Sequence, residues 1–270
     1  MPPPGASPLL PSDLSGRRAV VTGAARGIGH AIALRLAQAG ARVLALDLDD
    51  DSLIKEINST HRDDWAGLDC TVVRADLGDD PGVDPVRIAA SLLDGDEHDP
   101  IQLIVNNVGI CSGTNYFDTS PEDFDRIQRT NLRNPWFFTR RLVEPLVKHS
   151  LPGSVLFISS LHRLVPSRRP QYDISKAAVS QAARALAAEL SPYIRVNAIS
   201  PGWIDTAPFE ESEKAAMMVP QIPLRRAGAP DDVAKLALFL LSDHCAGYLT
   251  GVDIPVDGGL MLHTWVPAAS

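Results

Sequence analysis

Tyr172 and Lys176 stand four positions apart in Gln171-Tyr172-Asp173-Ile174-Ser175-Lys176, a spacing that invites chemistry. Four residues is about one helical turn, so on a helix the phenol and the ammonium share a face. A free tyrosine has a pKa near about 10. A cation within about 4–6 Å favours the phenolate, so the pair predicts a proton donor and acceptor that works nearer neutrality. The alanine-rich run from Ala177 to Leu190 predicts the helix that carries both. Alone, the spacing far more often marks an ordinary exposed helical pair, and its weight depends on what the chain places beside it.

The elements that must position the pair follow from periodicity. Arg18–Thr22, Arg42–Leu46, Thr71–Ala75, Ile101–Val105, Gly153–Ser159, Tyr193–Ala198 and Val252–Val256 are short runs rich in apolar, often β-branched residues and are expected as strands. Helical patterns lie between them: Gly27 to Gly40, a segment opening at Asp49-Asp50-Asp51, residues 83–93, a start at Ser120-Pro121-Glu122-Asp123, the Tyr/Lys helix and a start at Ala229-Pro230-Asp231-Asp232. This alternation predicts an α/β fold, a Rossmann-like doubly wound parallel sheet of about seven strands with helices on both faces. Ligands in such sheets sit beyond the carboxyl ends of the strands. The glycine turn after the first strand, Asp47, Asp76, Asn106, Ser160 and Pro201 all fall at such ends.

Thr22-Gly23-Ala24-Ala25-Arg26-Gly27-Ile28-Gly29 joins the first strand to the first helix. Glycines there let backbone approach a pyrophosphate, and the helix N-terminus offers free N–H groups. The spacing is Gly-x-x-x-Gly-x-Gly and departs from the more familiar Gly-x-Gly-x-x-Gly.

Composition limits the partners. The chain has 270 residues, 21% charged and 45% apolar, which suits one large globular α/β domain. A net charge of −8 argues against nucleic acid and against an anionic membrane surface. Cys70, Cys111 and Cys245 form no Cys/His cluster, so no metal site is expected, and their odd number fits a reducing compartment. Residues 1–14 are expected to be a disordered lead, with no signal peptide, and 15–270 a single domain. No apolar run approaches the length of about 18 residues that a membrane helix needs, and a cytoplasmic location is expected.

Thr-Gly-x-x-x-Gly-x-Gly at residues 22–29, Asn106-Asn107-Val108-Gly109, Tyr172-x-x-x-Lys176 and Pro201-Gly202-Trp203-Ile204-Asp205-Thr206 together resemble the short-chain dehydrogenase/reductase family, in its compact single-domain branch. The resemblance covers about residues 15–260. It implies a cofactor site of Gly23, Arg26, Gly27, Ile28, Gly29, Asp47, Leu48, Asp76, Leu77, Asn107, Val108, Gly109, Tyr172, Lys176, Pro201, Gly202, Ile204 and Thr206. Val108 stands where the family usually has alanine. Asp47 ends the second strand and would repel a 2′-phosphate, which points to NAD(H), while Arg26 is the opposing sign for NADP(H).

The resemblance further implies Asn131, Ser160, Tyr172 and Lys176 as catalytic residues and a small-molecule secondary alcohol or ketone as substrate. Counting from the strand selects Ser160; counting back from Tyr172 would select Ser159. Pro135 lacks an N–H, so a helix through Asn131 is expected to kink there and leave the carbonyl of residue 131 open to a water. His162, Arg163 and Trp203 are candidate substrate-pocket residues, and 205–228 is the expected substrate loop. The small residues of the Tyr/Lys helix suggest a homo-oligomer, a tetramer or dimer. An NADP(H)-dependent 3-oxoacyl-type reductase and a non-catalytic dinucleotide-binding protein remain as alternatives.

Overall fold

The computed structural model of this chain describes residues 13–48, 65, 67–77, 100–111, 114–206 and 218–265. The expected lead through residue 12, the helices opening at Asp49 and over 83–93, and residues 207–217 of the expected substrate loop lie outside the described residues. Leu14 is already part of the core, 4% exposed, with its N–H bonded to the carbonyl of Ala39 at 2.8 Å.

The strands are β1 (Arg18–Thr22), β2 (Arg42–Asp47), β3 (Cys70–Arg74), β4 (Leu103–Asn106), β5 (Gly153–Ile158), β6 (Ile194–Pro201) and β7 (Asp253–Val256). They form one seven-stranded sheet in the order β3-β2-β1-β4-β5-β6-β7, and every pairing is parallel. The helices used below are α1 (Gly27–Gln38), α2 (Pro121–Gln128), α3 (Asn134–Lys148), α4 (Pro170–Leu190) and α5 (Pro230–Leu241).

Alternate residues of each strand face opposite sides of the sheet, and both sides are covered. Ala19, Val21, Leu156 and Ile158 pack with α1 and α5 through Ile32, Leu36, Val233 and Ala237. Val20, Val155 and Phe157 pack on the other side with α3 and α4 through Phe138, Leu142, Val179 and Ala183. Both faces of the strands therefore need apolar side chains, which is why the strands read as near-continuous runs in the sequence. A bidentate pair ties α1 to α5: Arg35 Nε and Nη2 reach Asp231 Oδ1 and Oδ2 at 2.6 and 2.8 Å. The hydrogen bonds from Arg35 hold the Asp231 carboxyl down to about 2.

Two helix starts follow the chemistry of their first residues. Ser120 Oγ accepts the N–H of Asp123 at 3.1 Å, with Pro121 opening α2. The kink expected before Pro135 takes the form of a π turn over Arg129–Arg133, in which the Asn134 N–H reaches the Arg129 carbonyl. A regular α turn would aim the carbonyl of Asn131 at the proline ring; the wider turn shifts the register ahead of α3. The alanines of α4 divide between two surroundings. Ala182, Ala183 and Ala187 are buried within the chain, whereas Ala177, Ala185 and Ala188 are exposed.

Candidate active site

β1 lies between β2 and β4, so the chain reverses its direction of travel across the sheet between β1 and β4. At the carboxyl ends beside this crossing opens a cleft of about 680 Å³. Of the expected cofactor residues, Gly23, Arg26, Gly27, Ile28, Asp47 and Leu48 line it, as do Asp76, Leu77, Asn107, Val108, Gly109 and Thr206. Ala75, Ile110 and Thr130 line it too, though no motif singles them out. Gly29 is buried under the turn. A Cβ there would overlap the carbonyl oxygen of Gly23 and the amide of Asn107. Gly23 and Gly27 have φ of +64° and +58°, the left-handed region that glycine enters without strain.

The end of β4 clamps this turn. Asn107 Nδ2 donates to the carbonyls of Thr22 and Gly23, both at 3.0 Å. The Asn107 and Val108 N–H groups both donate to Thr22 Oγ1, at 2.9 and 3.2 Å. Asp47 is held too: its Oδ2 accepts the Ala25 N–H at 2.8 Å and its Oδ1 the Leu48 N–H at 2.7 Å. Arg26, at the N-cap of α1, is exposed and gives no side-chain cap to the first helical turn. A positive helix end without a side-chain cap, glycine backbone and a carboxylate at the end of β2 suit a dinucleotide, with pyrophosphate at the turn and a ribose at Asp47.

The reacting end is assembled from β5, α4 and the loop after β4. Ser160 follows β5, and its hydroxyl acts on the Tyr172 phenol in the direction that favours the phenolate. Ser159 is turned the other way, with Oγ 2.9 Å from the Lys176 carbonyl and 2.8 Å from Ser180 Oγ. Geometry thus brings Ser160, and not its neighbour, to the phenol. Lys176 is 4% exposed; its Nζ donates to the carbonyl of Ile158 at 2.9 Å and lies 5.7 Å from the centre of the Tyr172 ring. A Cβ on Gly109 would sit 3.1 Å from that Nζ, a tight contact that the glycine leaves open.

Asn131 acts on position. Its Oδ1 accepts the Ile110 N–H at 2.8 Å, and its Nδ2 donates to the Ile110 carbonyl and to Ser175 Oγ, both at 2.9 Å. Ser175 Oγ donates in turn to the Tyr172 carbonyl at 2.7 Å. The loop after β4 is thereby tied to the turn of α4 that carries the phenol. Ser175 was visible in the sequence only as a small polar residue beside Lys176.

Electrostatics differ from what the Tyr/Lys spacing predicts. Burial pushes the Tyr172 phenol up to about 12, while the Ser160 hydroxyl pulls the other way. Burial also brings Lys176 down to about 8. Loss of solvation disfavours each charged form, and this outweighs the attraction that the spacing suggested. The free protein therefore holds a protonated phenol at neutral pH.

The expected substrate-side residues fall in three places. His162 sits edge to face against Tyr172, ring centres 6.2 Å apart. Arg163 turns inward, with its Nε donating to Ser200 Oγ at 2.8 Å and lying 2.9 Å from Asp253 Oδ2. The single Nε–H aims at Ser200, so the contact with Asp253 is an ion pair without a hydrogen bond; Ser200 Oγ in turn donates to Asp253 Oδ1 at 2.6 Å. The Asp253 side chain has no exposure and that of Arg163 only 12%. Pro201 ends β6, and a Cβ on the adjoining Gly202 would meet Asp257 Cα at 2.7 Å. Trp203 and Ile204 line a separate cavity of about 250 Å³ with Leu224, Arg226 and Gly228, away from the dinucleotide-shaped cleft.

Fold and site together define a class, a Rossmann-like α/β protein whose cleft at the carboxyl ends of its strands suits a dinucleotide. A family model described as Enoyl-(Acyl carrier protein) reductase matches residues 23–261. L-rhamnose 1-dehydrogenase (NADP(+)) of Thermoplasma acidophilum is 32% identical over 257 residues, covering 93% of this chain and 98% of that protein. 3beta-hydroxysteroid dehydrogenase 1 of Eggerthella lenta is 34% identical, covering 93% and 96%. Among solved structures, a putative NAD(P) dependent gluconate 5-dehydrogenase from Beutenbergia cavernae with bound NADP is 33% identical, with a TM-score of 0.82 over 93% of this chain and 99% of that one. This chain belongs to the short-chain dehydrogenase/reductase family and is an oxidoreductase.

Two predictions follow from the buried charges. Arg163→Ala strands Asp253 in the interior, so the unfolding free energy falls by about 3–5 kcal/mol in denaturant titration, and part of it returns when Asp253 is also replaced by Ala. The second concerns Lys176, whose folded value near 8 lies below its ordinary 10.5. Across that window the unfolded chain holds more protons, so stability rises with pH there. Tyr172, raised above its ordinary 10.0, gives the opposite slope once pH passes that value. Cofactor-free wild type should therefore gain stability relative to Lys176→Met between pH 8 and about 10.

Proposed function

We propose that the protein interconverts a secondary alcohol and its ketone, using NAD(H), with Tyr172 as general acid and base. The observation that carries this reading is the grouping of Tyr172, Ser160, which acts on its phenol, and buried Lys176, 5.7 Å from the phenol ring, beside the cleft at the carboxyl ends of the strands. The glycine turn and the first turn of α1 would hold the pyrophosphate, and Asp47 a ribose. Bound there, a nicotinamide dinucleotide supplies or accepts a hydride.

The protein's own groups handle the oxygen and its proton. Ser160 hydrogen-bonds the substrate oxygen and sets its distance from the phenol. Tyr172, protonated in the free enzyme, gives its proton to that oxygen in reduction and takes it back in oxidation. Lys176 stabilises the phenolate left behind, and Asn131 and Ser175 keep the tyrosine turn in place. NAD(H) is preferred because the Asp47 carboxylate faces the position a 2′-phosphate would occupy, and its two main-chain bonds restrain it from swinging away. Relatives with NADP in their names or structures make NADP(H) the competing choice.

Tyr172→Phe should retain NADH binding, measured by fluorescence titration, while NADH oxidation with a ketone panel falls by about 10²–10⁴-fold. Loss of binding in step with activity would count against the assigned role. Asp47→Ser should shift the ratio of kcat/KM values with NADPH and NADH toward NADPH by about tenfold to hundredfold, since it removes a like-charge contact. An unchanged ratio would mean that Asp47 does not set the choice.

A further inference from the structure

His162 lies two residues past Ser160, and its main-chain N–H donates to Ser160 Oγ at 3.2 Å. The side chain is therefore fixed relative to the serine through one short turn. Its Nδ1 stands 2.9 Å from the carbonyl oxygen of Val165. A carbonyl can only accept, so Nδ1 carries the hydrogen and the neutral ring keeps its lone pair on Nε2. No described group bonds to that Nε2, and it is not among the side-chain atoms sealed from solvent. The ring also leans edge to face on Tyr172. An acceptor of known tautomer thus stands beside the phenol with its hydrogen-bonding capacity unspent.

The other side chains that act electrostatically on Tyr172 are Cys111, Asp173 and Arg169, and Arg169 Nη1 contacts Cys111 Sγ at 3.3 Å. These surroundings are polar, unlike the walls a purely apolar substrate would need. An acceptor on a ring packed against the phenol, 6.2 Å between ring centres, suits a donor on the substrate close to the carbon that reacts.

We propose that Nε2 of His162 accepts a hydrogen bond from a hydroxyl next to the reacting carbon, making the enzyme selective for vicinal diols and the α-hydroxyketones formed from them. This rests on the reading of Ser160 and Tyr172 as the groups that meet the substrate oxygen. It goes further in specifying the neighbouring group. A plain ketone leaves the acceptor unsatisfied once the substrate has displaced water from it, and that is the source of discrimination.

The test uses matched pairs that differ by one hydroxyl: 3-hydroxybutan-2-one with butan-2-one, and 2-hydroxycyclohexanone with cyclohexanone, each as oxidant of NADH. For wild type, kcat/KM should favour the hydroxylated member by about 5-fold to 100-fold. His162→Leu should bring that ratio toward one, and His162→Gln, whose amide oxygen can accept, should retain part of it. Melting curves would establish that both variants fold. Equal rates on both members in wild type would overturn the inference while leaving ketone reduction intact. So would a ratio unchanged in His162→Leu, or one lowered no less in His162→Gln. If no ketone of either kind oxidises NADH, the proposed activity itself falls, and the inference with it.

Discussion

Burial of one ammonium governs the geometry of this site. Lys176 Nζ is taken almost wholly out of water and given a carbonyl at the end of β5 as its hydrogen-bond partner. Such a group is costly to keep charged in the interior. It is tolerated only where backbone comes close enough to solvate it, and that requirement fixes three segments at once. The first turns of α4 must dock against the end of β5, which the Ser159 and Ser180 hydroxyls help to secure through the Lys176 carbonyl. The loop after β4 passes close to the ammonium at Gly109, where a Cβ would lie 3.1 Å from Nζ. The π turn before α3 must present Asn131 to that same loop. Tyr172, one turn back along α4, is placed by the same contacts.

That burial also changes the chemistry expected of the pair. A tyrosine and a lysine on one helical face suggest an acidified phenol. In the folded protein the ammonium is directed at a main-chain carbonyl, and both side chains lose solvation. The phenol is held protonated in the absence of ligands, burial raising its pKa while Ser160 draws it down. A second buried charge lies on the far side of the same turn, where Arg163 is drawn toward Ser200 and Asp253. Residues of one short turn thus take different directions: Ser160 acts on the Tyr172 phenol, His162 lies against the phenol ring and Arg163 reaches back into the sheet.

Much of the architecture was legible because a parallel sheet covered on both faces demands apolar side chains on both sides of each strand. The seven expected strands all form, most with ends shifted by a residue or two, and α1 and α5 begin where glycine, proline and acidic residues signalled them. The glycine turn that lines the cleft was legible, since a turn that packs backbone against backbone leaves no room for Cβ. Ala75, Ile110 and Thr130 were not, because ordinary residues become lining only when the loops that carry them converge. The strand count selected Ser160 over Ser159 while the count back from Tyr172 did not, and the direction each takes depends on the rotation of the last residues of β5 as they leave the sheet.

What the sequence determined by itself was the order of strands and helices, the close-packed glycine turn, and the one-turn spacing that sets phenol and ammonium on the same face. These are local matters of period, backbone freedom and side-chain type. Only the tertiary structure decided which serine meets the phenol, that Arg163 serves an internal aspartate, that Trp203 and Ile204 face a different cavity, and that burial governs the protonation of Tyr172 and Lys176. Each of these depends on groups distant in the chain being brought together and removed from water, and solvation is a property of the assembled surroundings.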